Sequence, residues 1–576
     1  MTRNIYLIIA LFILPMILAD HAQAQETPTD TEQSLLPEID PQDIEIRSQF
    51  QARFPGLRRQ PILGFNPRPR VFQTDPNRMP FIEDEEAMLA SLPVGELDRP
   101  EAPEYQPLGY ADPQNAFIRA GFGSEISPEA DLYAVAKLSD RNWVSGHANL
   151  NSTDGHDENV TTSYRFFDAG LNTYHRISNR TNLQLRAGFK SNFNHMLQLG
   201  TADEELLGID SRVSLTGFRG SADLEVSKTS LTGVNVSAGG YANDFTIDSG
   251  LAELSGNATG WGVNGSAEYS RLGSNINEVH RLRLNSRAGG LESMQGLSSN
   301  WSVTTLSAHY ERLFNYRSDV KASLGFSGVS DANDDFTFRF SPVLELKHTF
   351  FRGFNIRAKA SGTPTHYSYL DLHRENRFFD FSSNLKHQYE MLALGEIQLE
   401  PFYGTKIIAG VSYQDIRNYL YYERSQNPLD GFDVDQGYYS ANFRDATIFR
   451  IYGGFSQDLR PDILWISGDA HLQTPRFTES EKIPFVEAFS VKGTISMRPA
   501  NNMLLEGWTE FNSGRENHLG DDMTDFLLLG GKFEISITEQ YGVYVKLLNL
   551  LNENYELWQG YRERGFQGYV GFTLLF

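Results

Sequence analysis

The chain has 576 residues, a formal charge of −23, no cysteine, 49 glycines and 12% aromatic residues. Without cysteine there is no disulfide and no thiol to carry a lipid anchor, and an acidic balance with no dominant basic face excludes nucleic acid as a partner. Many glycines and aromatics in a polar chain point to strands and turns rather than a helical core.

The chain opens "MTRNIYLIIALFILPMILADHAQAQ", with one cation, Arg3, an apolar run from Ile5 to Leu18, and "AQA" at Ala22 to Ala24. That order describes a secretory signal peptide over residues 1–24, cleaved after Ala24. About 14 apolar residues fall short of the roughly 20 that a membrane-crossing helix needs. No run of 18 apolar residues follows, so no helix is expected to span a membrane.

Fourteen of the 24 prolines lie between Gln25 and Pro113, so residues 25–113 form a compositionally distinct, mostly irregular extension. Within it, Ile46 to Thr74 carries Arg47, Arg53, Arg58, Arg59, Arg68 and Arg70 and no acid. Two readings stay open: a partial plug folded back into an acid-lined barrel lumen, or a periplasmic tether that contacts a partner protein. Ile82 to Leu92 reads as one short helix with acids in its first turn.

From Asn115 the pattern becomes short alternating segments such as "DLYAVAKL" (Asp131 to Leu138) and "NLQLRAGF" (Asn182 to Phe189). Alternation at period two gives one apolar face, which a water-filled transmembrane barrel turns toward lipid. Compact turns read at Ser139, Ser178, Ser227, Leu272, Phe314, Phe351, Glu400, Leu459, Arg498 and Thr538, with longer polar stretches between them. Short periplasmic turns alternating with long extracellular loops predict an all-β fold, residues 114–576: an antiparallel outer-membrane barrel of about 22 strands. The last strand, "GYVGFTLLF", would pair with the first. Val570, Phe572, Leu574 and Phe576 would face lipid with Phe566, and the terminal aromatic resembles the signal that such barrels present to the barrel-assembly machinery.

"YVKLLNLLNENYELWQGYRERGFQGYVGFTLLF" (Tyr544 to Phe576) resembles the closing strands of TonB-dependent outer-membrane receptors, with Asn549-Leu550, Tyr555, Gly560-Tyr561 and a final Phe in the family's order. Lys482 to Asn517 looks like that family's penultimate hairpins. The resemblance implies a 22-stranded barrel in the outer membrane of a Gram-negative cell. It departs at Arg562 to Phe566, where family members place a proline and then glycine-arginine. Residues 25–113 are also shorter than a family plug and contain no convincing energy-coupling box, so TonB-driven import is not implied.

"DANDD" (Asp331 to Asp335) has calcium-loop spacing but Phe336 stands where glycine is required, so it reads as a solvated loop tip. Scattered histidines give no metal spacing, and no catalytic constellation or cofactor motif is found. "SAGGYAND" and "GNATGWGVNG" read as places where chains approach closely. "ELWQGY" (Glu556 to Tyr561), "FFRGF" (Phe350 to Phe354) and "YLYYERS" (Tyr419 to Ser425) read as an aromatic girdle at the membrane surface. The expected partners are outer-membrane lipid and lipopolysaccharide. The expected function is passage of a solute, porin-like or receptor-like; the alternative is a non-conducting structural or assembly component that recruits a periplasmic partner through residues 25–113.

Overall fold

The computed structural model describes residues 115–576 except 155–162, 196–211, 230–231, 249–254, 274–276, 294–297, 316, 332–335, 380–384, 425–438 and 461–462. The expected signal peptide, the proline-rich stretch with its six arginines, and the short helix expected at 82–92 lie outside the described residues.

One antiparallel sheet of 23 segments forms the wall. Two segments, Phe336–Phe340 and Val343–Phe351, both pair with Ser318–Ser330 and are halves of a single crossing, so the chain crosses 22 times. The break falls at Ser341 and Pro342. Proline has no N–H to give the ladder, and Ser341 carries the contact by exchanging backbone hydrogen bonds with Gly325 at 2.7 and 3.0 Å. The first strand, Ala116–Gly123, pairs with the last, Gln567–Leu575, in register from Phe117↔Leu575 to Gly123↔Tyr569. Both Asn115 and Ala116 donate their amides to the Phe576 carbonyl, at 2.6 and 3.1 Å. The ring therefore has no free edge, and the terminal strand is held on both sides.

All ten compact turns expected from the sequence join consecutive strands at the rim where the wall starts and ends. Their side chains explain their tightness: Asn315 Oδ1 accepts from the Arg317 amide at 2.7 Å, and Thr538 Oγ1 from the Tyr541 amide at 3.0 Å. In the turn after Phe351, Gly353 has φ +84°, and a Cβ there would lie 2.6 Å from the Glu400 carbonyl.

Alternation sorts the two faces. Leu132, Phe218, Val263, Leu324 and Val570 point outward and are 42% to 65% exposed on the isolated barrel. Phe572 and Phe576 join them on the outer side, as do Phe350 and Phe351 at the turn-bearing rim. A closed barrel with an apolar outer belt is the architecture of an outer-membrane protein.

Charges on the inner face pair across strands: Arg186 with Asp223 and Arg357 with Glu345 at 3.0 Å, Lys492 with Glu510 at 3.2 Å. The lumen is thus lined by both signs rather than by acids alone. Inward glycines let neighbouring side chains lie flat on the wall. Gly262 lies under the Tyr241 ring, Gly410 under Tyr452 and Gly530 under Trp508, where an added Cβ would come within 2.3 to 2.4 Å of ring atoms. Close approach is therefore the reason for the glycine-rich stretch around Gly262.

Candidate functional site: the outer mouth

A long excursion from the wall leaves the strand Phe354–Thr365 and returns at Gln388–Leu399. It contains the helix α1, Tyr369–Glu375. Ser368 caps α1: its Oγ accepts from the Asp371 amide at 3.2 Å while Asp371 Oδ2 accepts from the Ser368 amide at 3.0 Å, a capping box that starts a short helix in an otherwise irregular loop.

This loop turns into the barrel. Tyr369 and Leu372 of α1 pack on Val213, Leu215, Phe245, Ala258 and Leu291, all inward residues near the outer ends of their strands. The inner wall is apolar there because a loop covers it, and Val213, Leu215 and Leu372 have no exposed surface. At the start of the loop, His366 stacks on Trp301 with ring centroids 3.7 Å apart. Beyond α1, Phe378, Phe379 and Leu385 join Tyr422, Tyr439, Ala441 and Tyr561 in the same cluster. Burying a large apolar side chain contributes about 1.5–3 kcal/mol, so a cluster of this size fixes the loop firmly.

A second loop, between Tyr541–Leu548 and Gln567–Leu575, meets the first. Asn549 organises it: φ is +47°, the side-chain amide donates to the carbonyls of Glu553 and Arg564 at 2.9 and 3.0 Å, and Oδ1 accepts from the Glu553 amide at 2.9 Å. Gly560, at φ +84°, turns the chain between Trp558 and Tyr561. Tyr561 then stacks on Phe378 with centroids 3.4 Å apart, Arg377 pairs with Glu563 at 3.3 Å, and Tyr439 donates to the Gln559 carbonyl at 2.8 Å. Arg515, 4% exposed, braces this loop by donating to the Glu556 carbonyl at 2.9 Å and to Thr524 of a third loop at 3.1 Å. The two inward loops make an aromatic layer across the end opposite the compact turns.

Tyr421, Tyr422, Trp558 and Tyr561 were expected on the membrane girdle. Tyr422 and Tyr561, 3% and 2% exposed, are instead inside the mouth with Trp558 packed against them, while Tyr421, 8% exposed, is buried in a separate cluster against Phe477 and Ile483. Consecutive aromatics in "YLYY" break the alternation, and apolar residues on both faces of a strand's outer end are the sequence signal of a covered inner face.

Charge is sparse in the layer. Burial pushes the His373 imidazole down to about 3, with Lys190 and Arg377 adding to the shift, and burial beside His387 and Arg287 holds His366 well below the usual range. Both rings are neutral at pH 7. Asp331 of the expected loop tip accepts from the His387 amide at 2.9 Å, which ties the return of the loop to the wall. No group of three or more metal-ligating side chains occurs among the described residues.

No protein-family model matches the chain, and no curated protein matches it. Solved structures do. The chain is similar to a mutant of the ferric enterobactin receptor PfeA from Pseudomonas aeruginosa, at 12% identity, TM-score 0.62 and 80% coverage of each chain. It is similar to the FrpB iron transporter from Neisseria meningitidis at 9% identity and TM-score 0.64, covering 81% of this chain and 82% of that one. The copper transporter OprC matches at 10% identity and TM-score 0.62, over 81% and 80%. At these identities the likeness is one of fold: the 22-stranded barrel of TonB-dependent receptors, as the resemblance of the closing strands implied.

Proposed function

We propose that the protein admits a solute across the outer membrane through its lumen, and that the two inward loops gate the outer mouth. The observation that supports this reading is the contrast within the barrel: an inner wall of cross-strand ion pairs, and at the end opposite the compact turns an aromatic layer formed by the two inward loops. Its fold neighbours include an iron transporter, a copper transporter and a ferric enterobactin receptor. Residues 25–113 would fill or guard the periplasmic side, with Arg47 to Arg70 supplying contacts to the wall or to a partner. Planar-bilayer recordings test the reading. Replacing residues 369–386 with a short Gly-Ser link should produce or enlarge conductance, further increased by deleting residues 25–113. Silence in all three forms would favour a structural or assembly component.

A further inference from the structure

Most cations on the inner wall have a carboxylate of their own. Lys190 does not. It points inward from Thr181–His195, beside Asp168 and Gly217 in the register, and makes no ion pair among the described residues. Asp168 is already engaged by His147 at 3.0 Å and by Arg219 at 3.6 Å. Arg374, on α1, is 3.8 Å from Asp371, whose other oxygen serves the capping box. The charges of Arg374 and Arg219 both act on Lys190, and that of Asp168 opposes them. Three cations therefore converge where the nearby carboxylates are shared out.

A second observation concerns hydrogen bonds. Asn243 stands in the same register row, Lys190↔Gly217↔Asn243, and is 4% exposed. Its side chain lies over Gly217, where a Cβ would be 2.1 Å from Oδ1, and its Nδ2 has no partner. His373 is 2% exposed, with neither ring nitrogen partnered, and it lies within the field of Lys190. A buried donor without an acceptor is costly, and lysine offers donors only. The three cations and the unpartnered Asn243 Nδ2 outnumber the two carboxylates here, Asp168 and Asp371, and what the recess lacks is a further acceptor bearing negative charge.

We propose that this recess, bounded by Lys190, Arg219, Asn243 and the Arg374 end of α1, binds the oxyanion group of an acidic solute, a carboxylate or a phosphate. Because these residues face the lumen, a lipid headgroup in the surrounding membrane does not reach them. The site rests on the reading of the lumen as a solute path and names the chemical class of the solute.

The full chain in detergent is titrated calorimetrically with citrate and, separately, with inorganic phosphate, so that the two oxyanions are told apart. Lys190→Gln should weaken the preferred anion about tenfold or more, the scale of a lost charge-assisted hydrogen bond. Lys492→Gln, on a wall position paired with Glu510, should leave it within about twofold. Heat-modifiable gel mobility reports folding; if Lys190→Gln does not fold, Arg374→Gln on the loop takes its place with the same expectation. Absence of binding by the unaltered protein to either anion, or equal binding by the variants, overturns the site. Anion binding by a barrel that never conducts would refute solute passage and leave the site standing, whereas conductance without anion binding would do the reverse.

Discussion

Tyr544 Oη donates to Glu129 Oε1 at 2.7 Å, across the seam where the barrel closes. The two residues are separated by both the last strand and the first. The tyrosine reaches because Gly571 and Gly121 leave the wall bare beneath it: a Cβ on either would come within 2.5 Å of its ring or hydroxyl. Lys546 meets the other oxygen of Glu129, so one carboxylate ties strand to strand over the junction.

Tyr544→Phe should therefore destabilise the barrel by about 1.5–3 kcal/mol, the range for a hydrogen bond to a charged group. Gly121→Val should cost more, because the ring must lift from its bed. Urea midpoints of the refolded barrel in lipid vesicles measure both, and a Gly121→Val midpoint equal to the parent's would refute the seam latch.

Phe378 and Tyr561 hold the two mouth loops together. Tyr561→Ala removes the stacked ring and leaves a hole in the cluster, at a cost of about 3–5 kcal/mol to loop docking. Proteolysis of loop 366–387 from the outer face should become faster while the wall strands stay protected.

The mouth should also respond to pH. His373 titrates near 3 when the loop is docked, against 6.5 for an ordinary imidazole. Between those values an undocked loop takes up a proton that the docked loop refuses, so docking is complete above about pH 6.5 and weakens as the pH falls toward 3. At pH 5 the loss is about 2 kcal/mol, at 1.36 kcal/mol per unit. Hydrogen exchange over residues 366–379, corrected for its intrinsic pH dependence, should rise between pH 7.5 and 5, and His373→Gln should flatten that rise. Lys190 and Arg377 are the cations facing this ring; unchanged exchange in the parent would show that they and the surrounding burial do not keep it neutral.

Phe576 separates assembly from stability. Its backbone amide donates to the Ala116 carbonyl at 2.9 Å, and that link does not depend on the side chain, whose residue is 51% exposed. Phe576→Ala should shift the stability of the assembled barrel by no more than about 0.5 kcal/mol. The amount of barrel recovered in the outer-membrane fraction should nevertheless fall, if the terminal aromatic, with Val570, Phe572 and Leu574, is read by the assembly machinery. Equal recovery would remove that role.

The wall was legible in the sequence. Period-two alternation and turn chemistry are local properties, so ten turns, about 22 crossings and the outward side of Val570 and Phe572 could be read from neighbouring residues. The glycine-rich stretches announced close approach, but not that Tyr241 would be the ring lying over Gly262. Which loops fold inward depended on contacts between residues far apart in the chain, such as Leu372 with Val213 or Phe378 with Tyr561. The same aromatics satisfy a membrane surface or a buried cluster, and only the ring's closure decides which. Pairing of charges is equally non-local: Lys190 looks like any other strand lysine until the register sets it opposite Asp168, a carboxylate already engaged by His147 and Arg219, with Gly217 and Asn243 on its other side. Sequence by itself determined the barrel, because strand periodicity repeats whatever lies opposite. Tertiary structure decided the inward-folded loops and the surroundings of Lys190, because both arise from what the ring brings face to face.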